Sequence, residues 1–168
     1  MTPTISKNKN FYCIGLSYLK ADATMRGMFS LTPENKQALL TQARSEGFEE
    51  LLVISTCNRT ELYGYADHPF QLIQLLCEYS KGSVDDFQKV GYVNKGREAV
   101  QHLFEVGTGL NSQILGDFEI IGQMKQAFAL SRDKGLANAF LERLMNSVIN
   151  ASKRIKNETV LSLSLIHI

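Results

Sequence analysis

Cysteine is scarce in this chain: Cys13, Cys57 and Cys77 are the only three among 168 residues. An odd number without C-x-x-C or Cys/His spacing argues against a disulfide framework and a zinc site. It suits a reducing, cytoplasmic compartment. Net charge is almost absent as well. Eighteen lysines and arginines stand against 17 acids, a formal +1. That gives no global case for a nucleic-acid or membrane binder, so any such surface must be local. No apolar run reaches the ~18 residues of a membrane span, and the polar opening MTPTISKNKN lacks the apolar stretch of a secretory signal. No solenoid-type period recurs, and no G-x-G-x-x-G is present. What is present is 44% apolar and 21% charged residues. That is the make-up of a globular chain able to bury a core without staples, with the length of one domain or one with an extension.

FYCIGLSYL (11–19) is apolar and β-prone and reads as a strand. KADATMRGMFS (20–30) reads as irregular. LTPENKQALLTQARSEG (31–47) has Thr32 as an N-cap, Pro33 at the first helical position and Gly47 as a stop, which predicts a helix. EELLVIS (49–55) predicts a strand buried on both faces through its LLVI run. ELYGYA (61–66) predicts a half-buried strand, close enough in sequence to form a hairpin with it. Leu72, Leu75, Leu76 and Tyr79 have helical spacing within residues 69–80, and FQKVGYV (87–93) reads as a weaker strand. Three helices are expected after it. The first is REAVQHLFEVGTGL, ending at Gly107 or Gly109. The second is capped by Asp117 and runs to about Lys134. The third spans 136–158, with Leu141, Leu144, Met145, Val148 and Ile155 as its apolar stripe. The expected fold is therefore α+β: a ferredoxin-like βαββαβ antiparallel sheet followed by three helices, the last a long connecting helix.

The residues that carry chemistry gather in three places. In STCNRTELY (55–63), Cys57 sits among polar residues between two strands. Only the thiolate is reactive, and an unperturbed cysteine is a few per cent ionised at neutral pH. Arg59 or the loop's hydroxyl, amide and N–H groups could stabilise it or a developing oxyanion. The same loop is equally an ordinary hairpin with a harmless cysteine, because Thr and Asn are common turn residues. His102 stands among Val100, Leu103, Phe104 and Val106, where a satisfied core histidine is the plainer reading. His68 and His167 have no partner at useful spacing. In GLNSQILGDFEIIGQMK (109–125), Asp117 and Glu119 are explained by helix capping and the helix dipole. Gly122 weakens the helix and invites close approach of a backbone or ligand.

Together these segments resemble one family. STCNRTELY, HLFEVGTGLNSQILGDFEIIGQMKQAF (102–128) and LERLMNSVINASKRIKNET (141–159) look like the N-terminal part of glutamyl-tRNA reductase, and GLSY with Arg26 looks like its first strand and following loop. The resemblance implies that Cys57 is the nucleophile that attacks the ester of glutamyl-tRNA. A thioester forms and NADPH reduces it to glutamate-1-semialdehyde, a tetrapyrrole precursor. It implies His102 as a nearby base or orienter, and Thr56, Asn58, Arg59, Ser112, Asp117, Phe118, Glu119 and Gln123 as substrate-binding residues. Arg59 would pair the substrate carboxylate. Asp117–Phe118–Glu119 stand where the family usually has Glu-Pro-Gln, and Ser17-Tyr18-Leu19-Lys20 where an Asn-His-Lys-Thr-type motif is common. The implied organisation is a catalytic domain over 1–136, a connecting helix over 137–158 and a ragged, non-native end over 159–168. The NADPH domain would lie outside these residues. A homodimer and a downstream aminomutase are the implied partners.

Two rival expectations accompany this. One is a non-catalytic module that binds charged tRNA or a partner protein, with Lys153, Arg154 and Lys156 touching phosphates. The other is an inactive piece whose Leu141/Leu144/Met145/Val148 stripe lies partly exposed for want of a neighbour.

Overall fold

The structure, a computed structural model, describes residues 9–112 and 119–166, with side chains to residue 158. Strand β1 (Asn10–Ser17) leads through α1 (Ala23–Phe29) and α2 (Pro33–Ser45) to the hairpin β2 (Leu51–Ser55) and β3 (Arg59–Ala66). Helices α3 (Pro69–Tyr79) and α4 (Val84–Val90) precede β4 (Tyr92–Lys95), and α5 (Arg97–Gly107), α6 (Glu119–Asp133) and α7 (Ala139–Ile166) follow. The four strands lie in the order β2-β3-β1-β4, with every neighbouring pair antiparallel. This is the expected split βαβ arrangement.

Alternation along the strands divides the sheet into two buried faces. Tyr12, Ile14, Leu16, Leu51, Val53 and Leu62 join a core with residues of α1–α4. Phe11, Cys13, Leu52, Ile54 and Tyr63 join a second core with residues of α5–α7. The sheet is thus the middle of three layers, and β2 is buried on both sides as its sequence predicts. Several expectations change. β3 is buried along almost its whole length, not half-buried, because the C-terminal helices cover the face that alternation would leave to water. The apolar stripe of α7 is not exposed: Leu141, Leu144, Met145 and Val148 are buried in the second core. Residues 20–30, read as irregular, contain α1, started by Asp22, whose side chain accepts from the Met25 N–H.

The strand read over 87–93 is mostly helix. Ser83 caps α4, with Asp85 and Asp86 in its positive first turn, and only the residues after Gly91 enter the sheet. Thr32 and Pro33 start α2 as expected. His68 serves the fold, since its side chain and that of Gln71 form the capping box of α3. Gly122 faces open space rather than a close neighbour. Asp117, Phe118 and His167 lie outside the described residues.

Candidate active site

The β2–β3 turn is held by its own polar atoms and by the first loop. Thr56 Oγ1 accepts from the N–H groups of Asn58 and Arg59, and the Thr56 N–H donates to the Arg59 carbonyl at 2.8 Å. The Tyr18 N–H donates to the Asn58 carbonyl at 2.9 Å. Arg26 Nε donates to the Cys57 carbonyl at 3.0 Å, while its Nη1 donates to the Ala21 carbonyl. Arg26 thus holds the Cys57 carbonyl while Thr56 and Tyr18 hold the residues beside it, and the thiol is exposed.

That thiol opens onto a cavity of about 130 Å³ lined by Thr56, Cys57, Asn58, Arg59, Ser112, Glu119 and Gln123, with Val106 and Ile120 as its apolar wall. Residues from the hairpin, from the end of α5 and the turn after it, and from α6 converge there, although the hairpin is remote in sequence from the other two. The structure thus brings together seven of the ten residues singled out in the sequence. Asp117 and Phe118 fall outside the described residues, and His102 is not part of the lining.

His102 belongs instead to a buried cluster connected to the cavity through Arg59. Strand period carries Arg59, Glu61 and Tyr63 to the same face of β3. Arg59 Nη1 donates to Glu61 Oε2 at 3.4 Å, with both side chains almost wholly buried. Arg59 Nη2 reaches the carbonyl and side-chain oxygens of Asn111. Tyr63 donates to Glu61 Oε1 at 2.9 Å. Tyr92 and His102 Nε2 both contact Glu61 Oε2, and the imidazole also lies against the rings of Tyr63 and Tyr92. Gly15, opposite Glu61 in the register, makes room for this carboxylate. A Cβ there would stand 2.5 Å from the Thr60 carbonyl oxygen and 2.7 Å from Glu61 Cγ.

Burial opposes ionisation of Glu61. The hydrogen bond and charge of His102, the Arg59 charge and the Tyr92 hydroxyl outweigh it and hold the carboxyl below the ordinary carboxylate value. The same burial, with the Glu61 charge, pushes the Cys13 thiol and the Tyr92 hydroxyl up. The donor atoms of Cys13, Glu61 and His102 lie within 4.8 Å of one another, close enough for a cation. Glu61, however, is already engaged by Arg59, Tyr63, Tyr92 and His102, and the cluster is a hydrogen-bond hub.

Sequence reasoning missed Glu61, Tyr92 and Asn111. For Glu61 the signal was available: in C-N-R-T-E-L-Y the alternate residues 59, 61 and 63 share a strand face. Tyr92 and Asn111 come from a short edge strand and a post-helical turn, which carry no such periodicity.

Fold and site define the class: a ferredoxin-like α+β domain, covered on its second face by helices, that presents an exposed thiol in a small polar cavity. The model of the "Glutamyl-tRNAGlu reductase, N-terminal domain" family matches residues 14–159. Glutamyl-tRNA reductase of Christiangramia forsetii is 66% identical over 158 residues, covering 94% of this chain and 38% of that protein. The Flavobacterium psychrophilum glutamyl-tRNA reductase is 65% identical over 159 residues, with coverage of 95% and 38%. Among solved structures, glutamyl-tRNA reductase from Methanopyrus kandleri superposes with a TM-score of 0.74 at 25% identity, over 88% of this chain and 34% of that one. The chain belongs to the glutamyl-tRNA reductase family, through its N-terminal domain, and spans well under half the length of these relatives.

Proposed function

We propose that the chain carries the acyl-transfer half of glutamyl-tRNA reduction. Cys57 Sγ attacks the ester carbonyl that joins glutamate to the 3′ end of its tRNA. The C–S bond forms, the bond from the carbonyl carbon to the ribose oxygen breaks, and the thiol's proton passes to the departing ribose hydroxyl. The products are an S-glutamyl thioester and free tRNA. One observation carries this reading: an exposed thiol, on a residue whose carbonyl Arg26 holds, shares one small cavity with a guanidinium and the polar side chains of Ser112, Glu119 and Gln123.

Arg59 is the partner assigned to the glutamyl carboxylate. Glu61 and Asn111 hold its Nη1 and Nη2, so it is oriented before substrate arrives. His102 is assigned as an orienter acting through Glu61 on Arg59, since its Nε2 is taken up by that carboxylate. Thr56 shapes the loop by accepting two of its N–H groups. Asn58, Ser112, Glu119 and Gln123, with Asp117 and Phe118 outside the described residues, complete the substrate set carried over from the family.

The second half of the reaction is a hydride transfer that NADPH supplies when bound and that yields the semialdehyde. The sequence contains no G-x-G-x-x-G, and a cavity of about 130 Å³ is too small to hold a dinucleotide. A homodimer and delivery of the aldehyde to an aminomutase are carried from the same resemblance, and a cytoplasmic setting from the cysteine usage. Among the described residues no helix is long and apolar enough to cross a membrane. Residues 137–158 would then be the helix connecting this domain to the rest of the enzyme.

The test is chemical trapping. The chain is incubated with glutamyl-tRNA without nucleotide, quenched in acid and digested, and the peptide containing Cys57 is weighed. A glutamyl adduct on Cys57, absent in Cys57→Ser, is expected. Loss of ester at the same rate in both proteins would overturn the nucleophile assignment.

A further inference from the structure

A second groove, about 310 Å³, adjoins the Cys57 cavity and shares Thr56 and Gln123 with it. It runs between α2 and α6 along the outer edge of β2. Lys36 lines one side, Gln126 and Leu130 the other, and Val53 lies between. The groove has one cation and no carboxylate. A larger hollow elsewhere, by contrast, is lined by Glu46 and Glu78.

The edge strand supplies further polar groups. Leu51 turns its backbone away from β3: its N–H donates to the Leu136 carbonyl and its carbonyl accepts from Ser131 Oγ at 2.6 Å. By the alternation of an antiparallel pair, Val53 also turns its N–H and C=O outward, toward the groove. Leu136 and Ser131 close the far end of this edge. What remains open, Val53 to Ser55, is too short for a partner strand of the usual five or six residues, but it suits a single nucleotide unit.

Resting on the acyl-transfer reading above, we propose that this groove seats the 3′-terminal nucleotide of the charged tRNA, the leaving group of the reaction. An ester held at Cys57 has its acyl part on one side of the reacting carbon and the ribose on the other. The small cavity takes the acyl part, and the adjoining groove receives the ribose across Thr56. Unpaired nucleic-acid ends are recognised by hydrogen bonds to their base edges and by cations on their phosphates. The Gln126 amide offers the donor–acceptor pair that matches adenine. Lys36, which makes no ion pair among the described residues, is the phosphate contact.

Two measurements test this. In the first, the trinucleotide CCA is titrated into isotope-labelled Cys57→Ser protein, and amide shifts are followed by NMR. Shifts centred on Lys36, Val53 and Gln126 are expected; shifts elsewhere, or none, overturn the groove assignment whatever Cys57 does. In the second, acylation of Cys57 by glutamyl-tRNA is compared with acylation by a glutamyl nitrophenyl ester, which has no nucleotide. Lys36→Glu and Gln126→Leu should each lower the ratio of the two rates about tenfold, the discrimination one lost base or phosphate contact gives. An unchanged ratio overturns the proposal. Failure of both esters to label Cys57 sinks the nucleophile reading instead and leaves the trinucleotide titration to decide the groove.

Discussion

Glu61 is the residue on which the buried polar cluster depends. It is the counter-charge for Arg59 and the partner of His102, Tyr63 and Tyr92. Removing one member of a buried ion pair leaves the other charge uncompensated, which costs more than the pair itself contributes. Glu61→Gln is therefore expected to lower unfolding free energy by about 3 kcal/mol, measured by urea denaturation at neutral pH. The pH dependence has a definite sign. Glu61 is held below its ordinary value in the folded chain, so the unfolded chain binds its proton first as pH falls. Its contribution is complete above the ordinary carboxylate value, about 4.3, and is lost as pH falls through the depressed folded value. Glu61→Gln should flatten stability in that acid window; an unaltered acid limb would contradict the assignment. Gly15→Ala tests the same cluster from the opposite strand. The added methyl meets the Thr60 carbonyl oxygen, which is backbone and cannot rotate away. A loss of about 1–3 kcal/mol is expected from overpacking, read from the same denaturation curves.

At the scale of elements, buried polar contacts fix the C-terminal helices against the sheet. Glu50 is buried, and its carboxylate accepts from the Leu141 N–H at 3.0 Å. A side chain from the loop before β2 thereby caps the first turn of α7, where a negative charge is also favoured by the helix dipole. Glu50→Ala should cost about 1–2 kcal/mol, the range of a lost cap, visible as a lower thermal midpoint by circular dichroism. Ser131→Ala removes the bond that pins α6 to the edge of β2 and strands the Leu51 carbonyl, for about 1–3 kcal/mol by the same assay. These contacts also show why some elements were legible in sequence and others not. Thr32 and Pro33 at the start of α2 and Gly47 after its end are local signals, so those boundaries were readable. Residues 87–93 misled because the apolar spacing of Phe87, Val90, Tyr92 and Val93 suits a strand as well as a helix. Ser83 and the two aspartates after it, the features that decide for helix, lie upstream of that window. The cavity was legible only as separate motifs. Nothing local says that Ser112 and Gln123 meet Cys57; that follows from α6 lying against β2.

For the whole molecule, the consequence of greatest reach is that one sheet serves two cores. Strand alternation tells which residues share a face, but not what covers that face, so the double burial of β2 was readable while the covering of β3 was not. Leu40 lies in the core beneath α1–α4 and Leu103 in the core beneath α5–α7. They are on opposite sides of the sheet, and successive residues of β1, β2 and β3 pack alternately against the two layers. Losing either layer would expose Tyr63 or Leu62, both fully buried, and would leave the sheet's remaining apolar face in water. Independent unfolding of one layer is therefore disfavoured, and the described chain should unfold in a single transition. Leu40→Ala and Leu103→Ala should each lower its stability by about 2–5 kcal/mol. Each should shift the circular-dichroism and tyrosine-fluorescence curves together, since the chain has no tryptophan to dominate the emission. If Leu103→Ala moved the tyrosine signal alone and left a second, unshifted transition by circular dichroism, the C-terminal layer would be a separable unit. The Cys57 cavity, which is built from both the hairpin and α6, would then not owe its geometry to one cooperative fold.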